Sequence, residues 1–133
     1  MKTSQTEKRI YYSDTDAGKV VYYAKYLEFF EIGRTEILRQ SGIDYADVEK
    51  QGIIAPVVNV NCDYKCPIKY NEIIIIETAI EKIGNSSIKF NYKILRKEDK
   101  KLLAEGSTVN VFVDKKEMKS VKIPEDIITK LNS

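Results

Sequence analysis

Only one stretch of the chain, from Val20 or Val21 to about Gln40, repeats its apolar residues at helical spacing over several turns. Tyr23, Tyr26, Leu27, Phe30, Ile37 and Leu38 fall on one stripe. Phe29 and Ile32 widen it, so the predicted helix is buried on more than one side. Such a helix, ~20 residues and ~30 Å long, needs a broad surface to lie against. Ser41-Gly42 ends it, and Arg39 in the last turn suits the helix dipole. Just upstream, residues 6–13 carry Ile10, Tyr11 and Tyr12 and read as a first strand, followed by an acidic, glycine-containing turn from Asp14 to Gly18. Asp14 and Asp16 are therefore expected at or just before a helix N-terminus, where unpaired N–H groups favour negative charge.

Everything downstream reads as sheet, apart from a short helix or turn at Asp44 to Gln51 closed by Gly52. In residues 53–64, Val58, Val60, Cys62 and Tyr64 face one way, against Asn59, Asn61 and Asp63. Residues 72–83 are apolar on both faces. Residues 87–96 set Ile88, Phe90, Tyr92 and Ile94 against Lys89, Asn91 and Lys93, and residues 102–113 group Leu103, Val109, Val111 and Val113. Turn residues separate these runs, and Pro124-Glu125-Asp126 opens a short final helix. The expected architecture is a single α+β domain over residues 1–133, with a long antiparallel sheet wrapped around one central helix. Such a sheet leaves an edge that must be paired or covered, and dimerisation through that edge is the expected solution.

Composition narrows the chemistry. An apolar fraction of 43% with 32% charged residues is that of an ordinary globular chain. A net charge of +2 gives no reason to expect nucleic acid. The longest apolar run, Ile73 to Ile76, is far short of the ~20 residues a membrane helix needs, and MKTSQTEKRI has no hydrophobic signal region, so a cytoplasmic protein is expected. Histidine is absent, which removes Ser-His-Asp and Cys-His nucleophile systems and histidine-ligated metals. Cys62 and Cys66 cannot make a four-ligand zinc site and read as two reduced, packed thiols. The D-x-D-x-G string fails as a calcium loop, because Lys19 and Lys25 stand where glycine and glutamate are needed. Proton chemistry must come from carboxylates, tyrosines, lysines or water.

The run DTDAGKVVYYAKYLEFFEIGRTEIL resembles the 4-hydroxybenzoyl-CoA thioesterase branch of the hot-dog fold, and within it the bacterial acyl-CoA thioesterases of the Tol–Pal-associated type. Tyr12, Asp14, Thr15, Asp16, Gly18, Val20, Val21, Tyr22, Tyr26, Phe29, Phe30, Arg34, Thr35 and Glu36 carry the resemblance, with G-I-x-x-P-V-V at Gly52 to Val58 and Ile123-Pro124 further on. It implies a hot-dog homodimer or homotetramer that hydrolyses an acyl-CoA thioester without metal or organic cofactor. It also implies that Asp16 is the catalytic carboxylate. Tyr23 falls where the Tol–Pal type usually has histidine and the hydroxybenzoyl-CoA type has tyrosine.

The residues themselves suit that reaction. Amides at a helix N-terminus can receive the negative charge that develops on a thioester oxygen, each worth about a hundredfold or more. Gly18, Val20, Val21, Tyr22 and Tyr23 supply such amides. Asp16 could attack the carbonyl directly or deprotonate a water, with the Tyr23 hydroxyl orienting substrate or water. Read on spacing alone, Asp16 is equally an N-cap, Asp14 a cap or turn residue, and Tyr23 a core side chain. Two basic clusters, Lys93-Arg96-Lys97-Lys100-Lys101 and Lys115-Lys116-Lys119-Lys122, suit the phosphates of coenzyme A or are simply solvated turns. The alternatives are a non-catalytic module that binds acyl-CoA or acyl carrier protein, and a hot-dog hydratase, which looks for a histidine this chain lacks.

Overall fold

The long helix, α1, forms over Lys25–Gln40 and buries Tyr26, Phe29, Phe30, Gly33 and Ile37 along one face; residues 2–133 are described by this computed structural model. It starts later than the periodicity predicts. Val20 and Val21 are drawn into short β-bridges with Lys69 and Thr15, and the Val21 amide donates to Ile68 O at 2.8 Å. Two adjacent β-branched residues fit that extended geometry better than a first helical turn.

The helix lies on a five-stranded antiparallel sheet. Its strands are β1 (Thr3–Arg9), β3 (Val57–Tyr64), β4 (Ile73–Ile83), β5 (Ser87–Arg96) and β6 (Leu102–Val111), in the spatial order β1-β4-β5-β6-β3. A two-stranded ribbon pairs β2 (Ile53–Ile54) with β7 (Val113–Asp114). The run 53–64 thus splits around Pro56, which has no N–H to give a ladder. The first strand ends at Arg9, earlier than expected, and Tyr12–Asp14 makes a turn of 3₁₀-helix instead. Two short helices complete the chain: α2 (Tyr45–Lys50), whose Asp44 side chain accepts from the Ala46 amide at 3.0 Å, and α3 (Glu125–Asn132), which follows Pro124.

Ile74, Ile76 and Ile80 of β4 and Ile88, Phe90, Tyr92 and Ile94 of β5 are buried in one core with the helix. Phe30 stacks on Tyr92 with ring centroids 4.3 Å apart. Two glycines set how close the layers come. A Cβ at Gly33 would overlap Thr78 Oγ1, and one at Gly106 would run into Asn61 O and the Phe30 ring. Close approach also decides the face of β6. Register with β5 turns Ala104, Gly106, Thr108 and Asn110 toward the helix, so Val109 and Val111 point away, contrary to the grouping with Leu103 expected from sequence. A β-bulge at Ile94/Leu95 shifts the register and lets Leu103 and Ala104 both be buried.

At the sheet edge, β3 is exposed along most of its length. Val57 is 40%, Val58 60% and Val60 43% accessible. The half-buried strand predicted from its alternation is therefore an apolar, open edge.

Candidate active site

The acidic turn is a small hairpin of its own. The Asp16 amide donates to Val20 O at 3.0 Å and the Lys19 amide returns to Asp16 O at 2.9 Å. Lys19 takes the left-handed conformation at φ 63°. The Asp16 side chain folds back so that Oδ1 accepts from the Gly18 amide at 2.8 Å. A Cβ at Gly18 would come within 3.2 Å of that oxygen, so glycine makes room for the carboxylate. Asp16 Oδ2 has no hydrogen-bond or ion-pair partner among the described residues. Asp16 therefore closes a turn and does not cap α1, whose N-cap is Ala24.

Asp14 is the buried member of the pair. Its Oδ2 accepts from the Tyr11 amide at 2.9 Å and from Lys8 Nζ at 3.2 Å, and Lys25 Nζ lies 3.9 Å from Oδ1. Its carbonyl accepts from the Tyr22 amide at 3.0 Å, tying the hairpin to the segment that leads into α1.

Of the amides from Gly18 to Tyr23, those of Gly18, Lys19 and Tyr22 are engaged inside the loop and that of Val21 by Ile68 O. This corrects the expectation that Gly18, Val21 and Tyr22 offer free donors at a helix N-terminus, because α1 begins beyond them. The amides of Val20, Tyr23 and Ala24 donate to no other group among the described residues. Tyr22 and Tyr23 lie with ring centroids 4.8 Å apart. The Tyr22 hydroxyl is held above its ordinary range, first by its hydrogen bond with Tyr23 and last by the negative charge of Asp16. Tyr23 is exposed rather than core, and its carbonyl accepts from the Tyr64 hydroxyl at 2.8 Å. That bond fixes the acidic turn at the Tyr64 end of β3.

A cavity of about 320 Å³ opens at the other end of that strand, against Ala55, Pro56 and Val57. Leu38, Val48, Phe90, Phe112 and Ile127 line its apolar walls, and Arg34 and Asn110 supply polar groups. The Ala55 amide donates to Tyr45 Oη at 2.7 Å, holding the rim. Within one chain, then, the acidic turn and the apolar cavity lie apart. Sequence pattern singled out Arg34 but missed Asn110, which reads there as one polar residue in an alternating strand. Its inward register was the available signal, and the β6 bulge hid it.

A family model described as the thioesterase-like superfamily matches residues 11–131. The acyl-CoA thioesterase YbgC of Haemophilus influenzae is 36% identical over 121 residues, covering 90% of this chain and 87% of that protein. YneP of Bacillus subtilis is 33% identical over 122 residues, with 92% and 88% covered. Among solved structures, the DHNA-CoA thioesterase of Staphylococcus aureus superposes with a TM-score of 0.91 at 30% identity, over 98% of this chain and 91% of that one.

Proposed function

Because this chain belongs to the thioesterase-like superfamily, we propose that it is an acyl-CoA thioesterase, hydrolysing the thioester to a free acid and coenzyme A with the carboxylate of Asp16. The observation that carries the assignment to Asp16 is its one-sided anchoring. Oδ1 is held by the Gly18 amide while Oδ2 stays open, on a turn that runs on to the unengaged amides of Tyr23 and Ala24. Oδ2 either attacks the thioester carbon or takes a proton from the water that does. The free amides stabilise the oxygen that becomes negative, and the adjoining start of α1 adds its dipole. The thiolate of coenzyme A departs, in the first route leaving a mixed anhydride on Asp16 that water then hydrolyses to the free acid, and no step calls on a side chain the loop lacks. On the motif running from Tyr12 to Glu36 we assign the chain to the Tol–Pal-associated branch, working in the cytoplasm.

We further propose a homodimer built on β3. Its open apolar edge is suited to antiparallel pairing with a second copy. A two-fold axis across that edge sets the Tyr64 end of one strand beside the Val57 end of the other. The Asp16 turn of one subunit then faces the cavity of its partner. Lys115, near Gly52, lies with Lys116, Lys119 and Lys122 at the cavity end, a position suited to the coenzyme A phosphates.

Thiol release from short, long and aromatic acyl-CoAs, by the wild type and by Asp16→Asn, tests the reading. The amide keeps the bond to Gly18 but is neither base nor nucleophile. Turnover is expected to fall about a hundredfold or more with the melting temperature unchanged. An unaffected variant would return Asp16 to a turn residue. Binding of acyl-CoA without hydrolysis by the wild type would make the protein a binding module.

A further inference from the structure

The peptide that joins Tyr23 to Ala24 is held at one end only. Its carbonyl, on Tyr23, accepts from the Tyr64 hydroxyl at 2.8 Å. Its N–H, on Ala24, donates to no other group among the described residues. The unit is trans and planar, so the two groups point in opposite directions across it. Whatever fixes the oxygen therefore also aims the hydrogen. Local structure does not do this. Tyr23 and Ala24 are the middle residues of a turn closed by the Lys25 amide on Tyr22 O at 2.9 Å. That closing bond leaves the central peptide unheld, and the common turn types differ in how this peptide points.

Tyr64 supplies the missing restraint from a distant part of the chain. It is the last residue of β3, in register with Ala104 of β6. Its ring packs edge-on against Tyr26, which is itself buried, with centroids 4.7 Å apart. Strand and ring together fix where the hydroxyl stands. Donation into a carbonyl also polarises the peptide and makes the N–H of the same unit a stronger donor. Ala24 is the N-cap of α1, so that N–H sits at the positive end of the helix dipole as well.

We propose that Tyr64 is a positioning residue for the hydrolysis: by holding the Tyr23 carbonyl it aims the Ala24 amide at the thioester oxygen as that oxygen becomes negative. This rests on the acyl-CoA thioesterase reading above and adds to it a residue from outside the acidic turn. Tyr64 has no need to touch the substrate, since its hydroxyl acts through one peptide.

The test is Tyr64→Phe, which removes the hydroxyl and keeps the ring against Tyr26. Tyr64 is half-exposed at a strand end, so the variant is expected to fold, with a thermal midpoint close to that of the wild type. Two ligands are compared: the acyl-CoA that the wild type turns over fastest, and the coenzyme A thioether of the same skeleton, in which a methylene replaces the carbonyl. Loss of a whole oxyanion donor costs about a hundredfold or more, so a donor left in place but unaimed is expected to cost about tenfold in kcat. The fall in kcat/KM should match it, the pattern of an interaction made only in the transition state. KM, and the inhibition constant of the thioether, which has no oxygen to receive the amide, should stay within about twofold of wild type. An unchanged kcat overturns the proposal and leaves the thioesterase reading standing. So does a variant whose KM and thioether inhibition constant rise as kcat falls, or one that no longer folds, because either makes the bond a brace for the loop. No turnover of any acyl-CoA by the wild type overturns the thioesterase reading and this proposal with it.

Discussion

Asp14 is held between Lys8 and Lys25 under the Tyr11 amide, while Asp16, the next acid along, keeps Oδ2 open to solvent. The difference comes from the backbone, since the 3₁₀ turn at Tyr12–Asp14 turns the first carboxylate inward and the hairpin turns the second outward. Asp14→Ala is expected to strand the Tyr11 amide and leave Lys8 without its partner. A loss of about 1–3 kcal/mol should follow, read as a lower midpoint in urea. Asp16→Asn should leave that midpoint where it is. Gly33 provides a second residue-scale check. Gly33→Ala puts a methyl onto Thr78 Oγ1, and overpacking of this kind costs about 1–3 kcal/mol by thermal unfolding, despite alanine's better helix propensity.

At the scale of elements, α1 and β3 meet through tyrosines. Tyr26 is packed edge-on against Tyr64 with ring centroids 4.7 Å apart, and Tyr64 in turn holds Tyr23 O. Burial is the main cause that pushes the Tyr26 hydroxyl up from 10.0 to about 12, with nearby Cys62 and Tyr64 adding to it. Because the folded state keeps this proton more tightly than the unfolded chain does, the stability it confers is complete below pH ~10 and is lost as pH rises toward ~12. Urea midpoints measured from pH 9 to 12 are expected to fall, and to fall less steeply in Tyr26→Phe. An identical slope in the variant would remove Tyr26 from the account. Element boundaries were partly legible beforehand. β4, β5 and α3 fall where hydrophobic pattern and proline predict them. The start of α1 does not, because periodicity reports which residues are buried and not whether Val20 and Val21 find a helical or a strand-like partner.

For the whole molecule, the hot-dog arrangement leaves one apolar edge and separates the acidic turn from the cavity by the length of β3. If two subunits complete each site, subunits with complementary defects should rescue one another. Asp16→Asn removes the carboxylate, and Ala55→Trp fills the cavity rim. Each variant alone is expected to be nearly inactive. An equal mixture, unfolded and refolded together, should recover about a quarter of wild-type turnover, because half the dimers carry one intact site of two. A mixture as inactive as its parents would put carboxylate and cavity to work within one chain. Val60→Lys, on the open edge, is expected to shift sedimentation toward monomer and to lower turnover with it.

The amino-acid sequence by itself determined the α+β class, the single long helix, the antiparallel strands and the position of the acidic turn. These depend on local spacing, on glycine and proline, and on the absence of histidine, all of which are written along the chain. Only the tertiary structure decided which face of β6 turns inward, that Asn110 is buried with an unused oxygen, and which amides beside Asp16 stay free. Those outcomes turn on a one-residue bulge, two close glycine contacts and hydrogen bonds from loops distant in sequence. Each is a small energetic choice between alternatives that leave the same apolar pattern intact, so the pattern carries no record of it.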